Sequence, residues 1–363
     1  MPPLEEILRE KDNDYSRLAR VFKIKTKLDI VKDGYNKKIP LNKSCSIIIP
    51  FYRNSSHFLK ETLISLWHQD LSTDFKKNKV EIIIINDGSP INPKRLIEKT
   101  KKFYPVVYLR LKRNYGRAGA AATNLGLSYA KNEIIIFLND DIVVPKDFVA
   151  SHLLRHQFLN KCIIVGFRHN ITLREFYSKL NKNKQYIKTL PSYKEDFRYK
   201  KFIPNEWKNT FKNLPSSHFN RTCYLLNESN YFKNFGKGKI IGVWDLPFMF
   251  LACNASVPRK YVIEVGGFDL RFKGWGCEDT HLGAKLIARG LYLIPNLHAT
   301  VYHLIEEKTF EKEKRKKYIQ FKRNFYLYQK LKNENLFLFS ESEWREKMKK
   351  YFKSKFKLEF LSN

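Results

Sequence analysis

Hydrophobic and polar positions alternate along this chain in two registers. "CSIIIPFYRN" (45–54), "VEIIIINDGS" (80–89), "VVYLRLKRN" (106–114) and "NEIIIFLNDD" (132–141) are short apolar, β-branched runs, each closed by polar or turn residues. Such runs predict buried strands. Between them, "SHFLKETLISLWHQ" (56–69), "INPKRLIEKTKKF" (91–103) and "GRAGAAATNLGLSYA" (116–130) carry the wider spacing of helices. Strand–helix alternation with nearly continuous apolar strands predicts an α/β fold, a mostly parallel sheet with helices on both faces.

Three further stretches complete the plan. Residues 1–43 read as a helical extension, with apolar positions at Leu4, Ile7, Leu8, Leu18 and Val21. Residues 44–305 form the main domain, with a first half at 44–145, an irregular insertion or lid at 167–240 rich in Tyr, Phe, Asn and Lys, and a second half at 241–305. In that second half "EDTHLGAKLIARG" reads as a helix ended by Gly290. Residues 306–363 are a basic helical tail. In it Trp344, Met348, Phe352 and Phe356 fall on one helical stripe with lysines elsewhere. Two expectations stand for that stripe: an interfacial membrane helix over 342–360, or a face that docks on the main domain.

Charge changes the picture only in part. With 68 Lys and Arg against 36 Asp and Glu, the formal net charge is +32, a field that favours anionic partners. The basic residues are spread along the chain, and no helix-turn-helix, zinc-finger or RNA-binding signature accompanies them, so nucleic acid is not the expected partner. The five cysteines have no metal or redox spacing, which fits free thiols in a reducing compartment. The first residues are not a signal peptide, and no apolar run nears the roughly 20 residues that span a bilayer. The expectation is a cytoplasmic protein, either free or peripheral on the inner face of the cell membrane.

In open sheets of this kind ligands bind at the carboxyl ends of the strands. Here those ends carry Pro50, Phe51, Asn86, Asp87, Gly88, Arg113, Asn114, Asn139, Asp140 and Asp141. Taken one at a time these are ordinary turn residues; four polar strand ends in a row predict a binding crevice. Adjacent acids at 140–141 offer hard oxygen ligands suited to Mg²⁺ or Mn²⁺. The glycine- and alanine-rich start at 116–122 lets backbone approach a phosphate, and equally lets a helix pack closely. Farther on, "GGFDLRFKGWGCEDTHLG" (266–283) sets Glu278 and Asp279 beside a tryptophan between glycines. Helix capping alone would account for such acids.

Taken together, "SIIIPFYRN", "EIIIINDGS", "LKRNYGRAGAAATNLGL" and "IIFLNDDIVVP" resemble the successive motifs of family 2 glycosyltransferases of the GT-A fold. "GGFDLRFKGWGCEDTHLGAKL" with "VYHLIEE" resembles the second half of galactosyltransferase and N-acetylgalactosaminyltransferase modules, including chondroitin-type polymerases. The resemblance covers residues 44–305. It implies a nucleotide-sugar donor, most often UDP-linked, a divalent metal (Mn²⁺ or Mg²⁺), and a glycan, lipid-linked or peptide acceptor. It also implies roles. Pro50, Phe51 and Asp87 match positions that hold the nucleoside, and Arg113 and Asn114 match the motif near ribose and phosphates. Asn139 and Asp140 stand with them at the Asp-x-Asp motif. Asp141 matches its metal-binding aspartate and His303 a histidine that completes the metal site. Trp275 matches the tryptophan beside the sugar, and Glu278 and Asp279 the acceptor-side acids, with Asp279 as base in an inverting transfer.

Two departures accompany the likeness. Asn139 replaces the first acid of Asp-x-Asp, and the Gln-x-x-Arg-Trp of processive synthases is reduced to "QFKRN" at 320–324. The alternatives to a metal-dependent glycosyltransferase are a nucleotidyltransferase using the same crevice, and a catalytically inert basic module that binds nucleic acid or anionic glycan.

Overall fold

A computed structural model describes residues 1–11, 13–52, 57–112, 114, 119–180, 190–196, 198, 246–306, 310–353 and 356–357. Its first half follows the apolar runs: strands β1 (Cys45–Phe51), β2 (Val80–Asn86), β3 (Val106–Leu111) and β4 (Ile134–Leu138), with helices α3 (His57–Trp67), α4 (Thr73–Lys79), α5 (Lys94–Lys101) and α6 (Ala120–Tyr129). β1 pairs in parallel with β2 and β4, and β2 with β3. The runs are unbroken because both faces of these strands are covered. Ile48, Ile83, Ile85 and Phe137 join a core with Ala121, Ala122 and Leu125 of α6. Ile47, Ile49, Ile82 and Ile84 point the other way, into a core with Leu59, Leu63 and Ile97. The small residues of α6 serve this packing: a Cβ on Gly126 would lie 2.6 Å from Ile85 Cδ1 and 2.8 Å from Ile48 Cγ2.

The second half extends the sheet through β5 (Ile142–Val143), β6 (Cys162–Thr172), β7 (Asn254–Pro258) and β8 (Tyr292–Ile305), with α7 (Phe148–Phe158) before β6 and α9 (Arg259–Glu264) after β7. With β9 (Phe356–Lys357) the order is β5-β8-β6-β7-β4-β1-β2-β3-β9. β7 runs antiparallel to both β4 and β6, so the parallel half meets a mixed one in the middle of the sheet. The irregular region expected at 167–240 begins regularly: residues 167–172 end β6 and are followed by α8 (Leu173–Ser178), started by a Thr172–Glu175 capping box. Residues 201–240 lie outside the described part. The register of β6 slips between Gly166 and Arg168. Asn254 sits in that gap, donating to the carbonyls of Phe167 (3.0 Å) and Ala299 (2.7 Å). Such a bulge re-aims the side chains that follow it.

The flanks share the main core. Leu4 and Leu8 of α1 (Leu4–Glu10) and Phe22 of α2 (Ser16–Thr26) are buried with residues of both sheet halves. In the tail, α11 (Phe310–Lys332) leads to α12 (Glu341–Phe352), started by a Ser340–Glu343 capping box. Trp344, Met348 and Phe352 are no more than 2% exposed and belong to the same core. The apolar stripe is therefore spent on docking, and a membrane has no access to it. Phe356 leaves the stripe altogether: the helix ends at Phe352, and Phe356 pairs with Leu111 in β9. Among the described residues no helix is long and apolar enough to cross a membrane.

Candidate active site

At the end of β2 the chain turns sharply through Asp87 and Gly88, the latter at φ 78. Asn86 holds the turn, accepting from the Ser89 N–H at 2.6 Å and donating to the carbonyl of Ile91 at 3.1 Å. Asp87 is tied to β1 by its N–H, which donates to the Phe51 carbonyl at 2.8 Å. Asn114 donates to Asp87 Oδ2 at 3.1 Å, while Oδ1 is buried without a partner among the described residues. Burial raises the Asp87 carboxyl to about 7. Such an oxygen gains from a ligand N–H or hydroxyl. Phe51 does not share in this. Its ring is fully buried among Ile49, Ile84 and Leu63, so its side chain belongs to the core and only Pro50 of the pair lines a pocket. Arg113 lies outside the described residues.

Asp140 and Asp141 follow β4 and are both buried, at 7% and 6% exposure. The Asp140 carbonyl accepts from the Thr62 hydroxyl at 2.9 Å, which anchors this turn to α3. Strand register does the rest. Ile142 pairs with His303 across β5 and β8, and Asn170 pairs with the same residue across β6 and β8. His303 Nε2 thereby lies 3.5 Å from Asp141 Oδ2, and its Nδ1 lies 2.8 Å from Asn170 Oδ1. Nδ1 donates to Asn170 Oδ1, which orients the ring and turns Nε2 toward Asp141. Divalent ions of octahedral habit bind ligands near 2.1 Å, so adjacent ligand atoms sit roughly 3 Å apart. The Asp141–His303 pair fits two such corners with a small adjustment. The remaining corners need oxygen from a ligand or water, since among the described residues no three His, Cys, Asp or Glu side chains converge.

Glu278 and Asp279 begin α10 (Glu278–Ala288), a helix ended by Gly290 at φ 97. Before it the chain passes through three left-handed residues, Gly274 (φ 68), Gly276 (φ 108) and Cys277 (φ 66). Cys277 is a non-glycine in that region, a strained conformation that persists only where its surroundings impose it. Here α11 imposes it. Gln320 Oε1 accepts from the Trp275 N–H at 3.0 Å, and Asn324 donates to the carbonyls of Lys273 (3.0 Å) and Trp275 (3.2 Å). A Cβ on Gly276 would sit 2.8 Å from Phe321. These are residues of "QFKRN": the sequence shows a fragment of a motif, and the fold makes it the clamp on the tryptophan loop. Trp275 is left 41% exposed, its ring 5.9 Å from that of Phe321.

A cavity of about 190 Å³ gathers Pro50 and Asn139 from the first half with Trp275, Glu278 and Asp279 from the second. Asp87, Asn114, Asp141 and His303 are not in its lining; they flank it, through the Asn139–Asp141 turn on one side and the Phe51–Asp87 bond on the other. Arg168, which nothing in the sequence singled out, also lines the cavity. The two acids sit in different environments. Burial raises Asp279 to about 6, opposed by the Ala252 N–H (3.0 Å to Oδ2) and the Arg168 charge. Glu278 is held well above the usual carboxylate range by burial and by the Asp279 charge, and its Oε2 is buried without a partner among the described residues. Two carboxylates pushed apart in this way divide into a base and a hydrogen-bond donor.

Comparison with known proteins matches this layout. A family profile described as "Glycosyl transferase family 2" matches residues 46–221, and one described as "N-terminal domain of galactosyltransferase" matches 248–307. Chondroitin synthase of Pasteurella multocida (strain Pm70) is 27% identical over 266 residues, covering 70% of this chain and 24% of the relative. Chondroitin synthase of Escherichia coli is 27% identical over 304 residues, covering 84% and 39%. The uncharacterized glycosyltransferase YfnE of Bacillus subtilis (strain 168) is 26% identical over 248 residues, covering 68% and 61%. The chain thus spans between a quarter and about three-fifths of these relatives' lengths. Among solved structures, GalNAc-T7 with UDP, GalNAc and Mn²⁺ shares the fold at a TM-score of 0.51 and 15% identity, covering 73% of this chain and 44% of that one. The two profiles, in chain order and with their strands in one sheet, make the chain a family 2 glycosyltransferase of the GT-A fold with a chondroitin-polymerase-like second half.

Proposed function

We propose that the protein transfers a sugar from a UDP-sugar to a hydroxyl of a glycan acceptor, with inversion and with a divalent ion. The observation that carries this reading is the 190 Å³ cavity, which brings Trp275, Glu278 and Asp279 against the strand ends of the nucleotide half. Asp87 and Asn114 hold the nucleoside through the unfilled Asp87 oxygen. Asp141 and His303 hold the ion, which when bound would neutralise charge on the diphosphate. Trp275 offers its exposed face to the transferred sugar. Protonated Glu278 donates to a sugar oxygen. Asp279 removes the proton of the acceptor hydroxyl as that oxygen attacks the anomeric carbon from the face opposite the departing phosphate. One C–O bond forms, one C–O bond to phosphate breaks, the proton ends on Asp279 and UDP leaves with the electron pair.

The decisive experiment measures UDP release from a panel of UDP-sugars, with Mn²⁺ and with EDTA, for the native chain and Asp279→Asn. Metal-dependent release that the substitution suppresses supports the reading. Release of pyrophosphate from a nucleoside triphosphate would favour a nucleotidyltransferase, and no turnover at all a binding module.

A further inference from the structure

Behind the acceptor helix, across the loop Asp269–Trp275, lies a second and larger cavity of about 660 Å³, within the size range of pockets that hold small ligands. Its floor is the face of α10 that carries His281 and Lys285. One wall is the loop, with Arg271 and Lys273; the other holds Phe337 and Lys347 of the tail.

Charge in this cavity is unevenly satisfied. Arg271 takes both of its acids, reaching Asp269 and Glu334 at 2.7 Å each. That leaves Lys273, Lys285 and Lys347, for which no carboxylate lies within ion-pair distance among the described residues. Lys285 is buried and fixed, donating to the carbonyls of Val265 and Gly267 at 2.7 Å each. Lys347 is held over the Phe339 ring at 4.6 Å. Beside Lys285, the Nδ1 of His281 is buried and has no hydrogen-bond partner among the described residues, on a residue only 4% exposed. A polar atom left so is costly, and a ligand hydroxyl would relieve it. Phe337, meanwhile, stands 69% exposed at the wall.

Three lysines without a carboxylate partner, one buried and fixed and two exposed at the rim, select an anion, an exposed flat aromatic selects a ring, and an unmet buried nitrogen selects a hydroxyl. Together they describe a pyranose bearing a carboxylate or sulfate. We propose that this cavity binds an acidic sugar unit of the acceptor glycan, away from the unit being extended. The word acceptor rests on the transferase reading above. The loop supports it, because Lys273 lines this cavity and Trp275 the first, and two residues of backbone span at most about 7 Å. A glycan crossing that loop would touch both.

The test titrates the full chain at physiological salt with trigalacturonate, maltotriose and sodium sulfate, and separately with UDP and Mn²⁺. Trigalacturonate should bind, with maltotriose and sulfate each weaker by about tenfold or more. Lys273→Ala/Lys347→Ala should weaken trigalacturonate by about the same factor. Lys94→Ala/Lys99→Ala, which removes equal charge from exposed positions on α5, should not. Phe337→Ala should also weaken it. Binding that is absent, or that responds equally to either lysine pair, overturns the site. Sulfate binding as tightly as trigalacturonate, with Phe337→Ala silent, overturns the sugar. UDP affinity should be unchanged in every variant; if UDP fails to bind while the cavity behaves as expected, the donor reading falls and the saccharide site stands.

Discussion

The backbone N–H of Ala252 donates to Oδ2 of Asp279 at 3.0 Å, tying the second acid of α10 to the turn that leads into β7. The bond stabilises the ionised carboxylate and fixes the direction of one oxygen. Glu278, one residue earlier, has backbone donors too, yet is buried more deeply, and burial together with the Asp279 charge holds it well above the usual carboxylate range. This contrast is why Asp279, and not Glu278, is the proposed base.

Asp279→Asn keeps size and capping ability and removes the proton acceptor. Sugar transfer should fall by about 10²–10⁴-fold with UDP affinity retained. In the native enzyme the rate should decline as pH falls below about 6, because Asp279 must be ionised. Steady-state rates from pH 5 to 8, beside UDP titrations, check both. A folded variant with near-native rate removes Asp279 from the chemistry.

The Asp141–His303 pair should make UDP binding metal-dependent. Asp141→Ala should abolish the difference between Mn²⁺ and EDTA titrations. Asn170→Ala, which only unties His303 Nδ1, should weaken Mn²⁺-dependent binding by about 10–100-fold. Calorimetry with UDP reads both, and an Mn²⁺ effect that survives Asp141→Ala argues against this site.

Gly276→Ala places a Cβ at φ 108 and 2.8 Å from Phe321. The tryptophan loop must shift, so kcat should drop while UDP affinity holds. Gln320→Ala, which frees the Trp275 N–H, should act in the same direction more mildly. Equal kcat in both variants would mean that the clamp has no part in turnover.

Trp344 is fully buried in the shared core. Trp344→Ala should cost about 3–5 kcal/mol of stability, read as an earlier urea transition. A membrane-facing tryptophan would cost almost nothing.

The raised Asp87 carboxyl has a stability signature. Its folded value of about 7 lies above the usual 3.9 for an unfolded chain, so the native state holds a proton that the unfolded state releases. That contribution is full below about pH 4 and is lost as pH rises through about 7. Asp87→Asn should therefore be more stable than the native chain at pH 8 and show no such gain near pH 4, in parallel urea melts. UDP should bind it more weakly.

The parallel half of the sheet was legible in the chain itself, because strands covered on both faces must be apolar at every position and write uninterrupted runs. The order of the acidic motifs was legible for a related reason: strand ends in such sheets are where polar groups collect. The stripe at Trp344, Met348 and Phe352 was not decidable, since periodicity reports that a face is apolar and not what covers it; the core of the main domain does. Phe51 looked like a ligand contact beside Pro50, but strand alternation turns its ring into the core. The pairs that build the site were likewise settled only by folding. Asp141 meets His303 because β5 and β8 fall in one register, Arg168 reaches the cavity beyond a bulge, and Gln320 and Asn324 clamp a loop some 45 to 51 residues away. Contacts at that separation leave no local pattern, because each partner is constrained by packing in three dimensions and not by its neighbours along the chain.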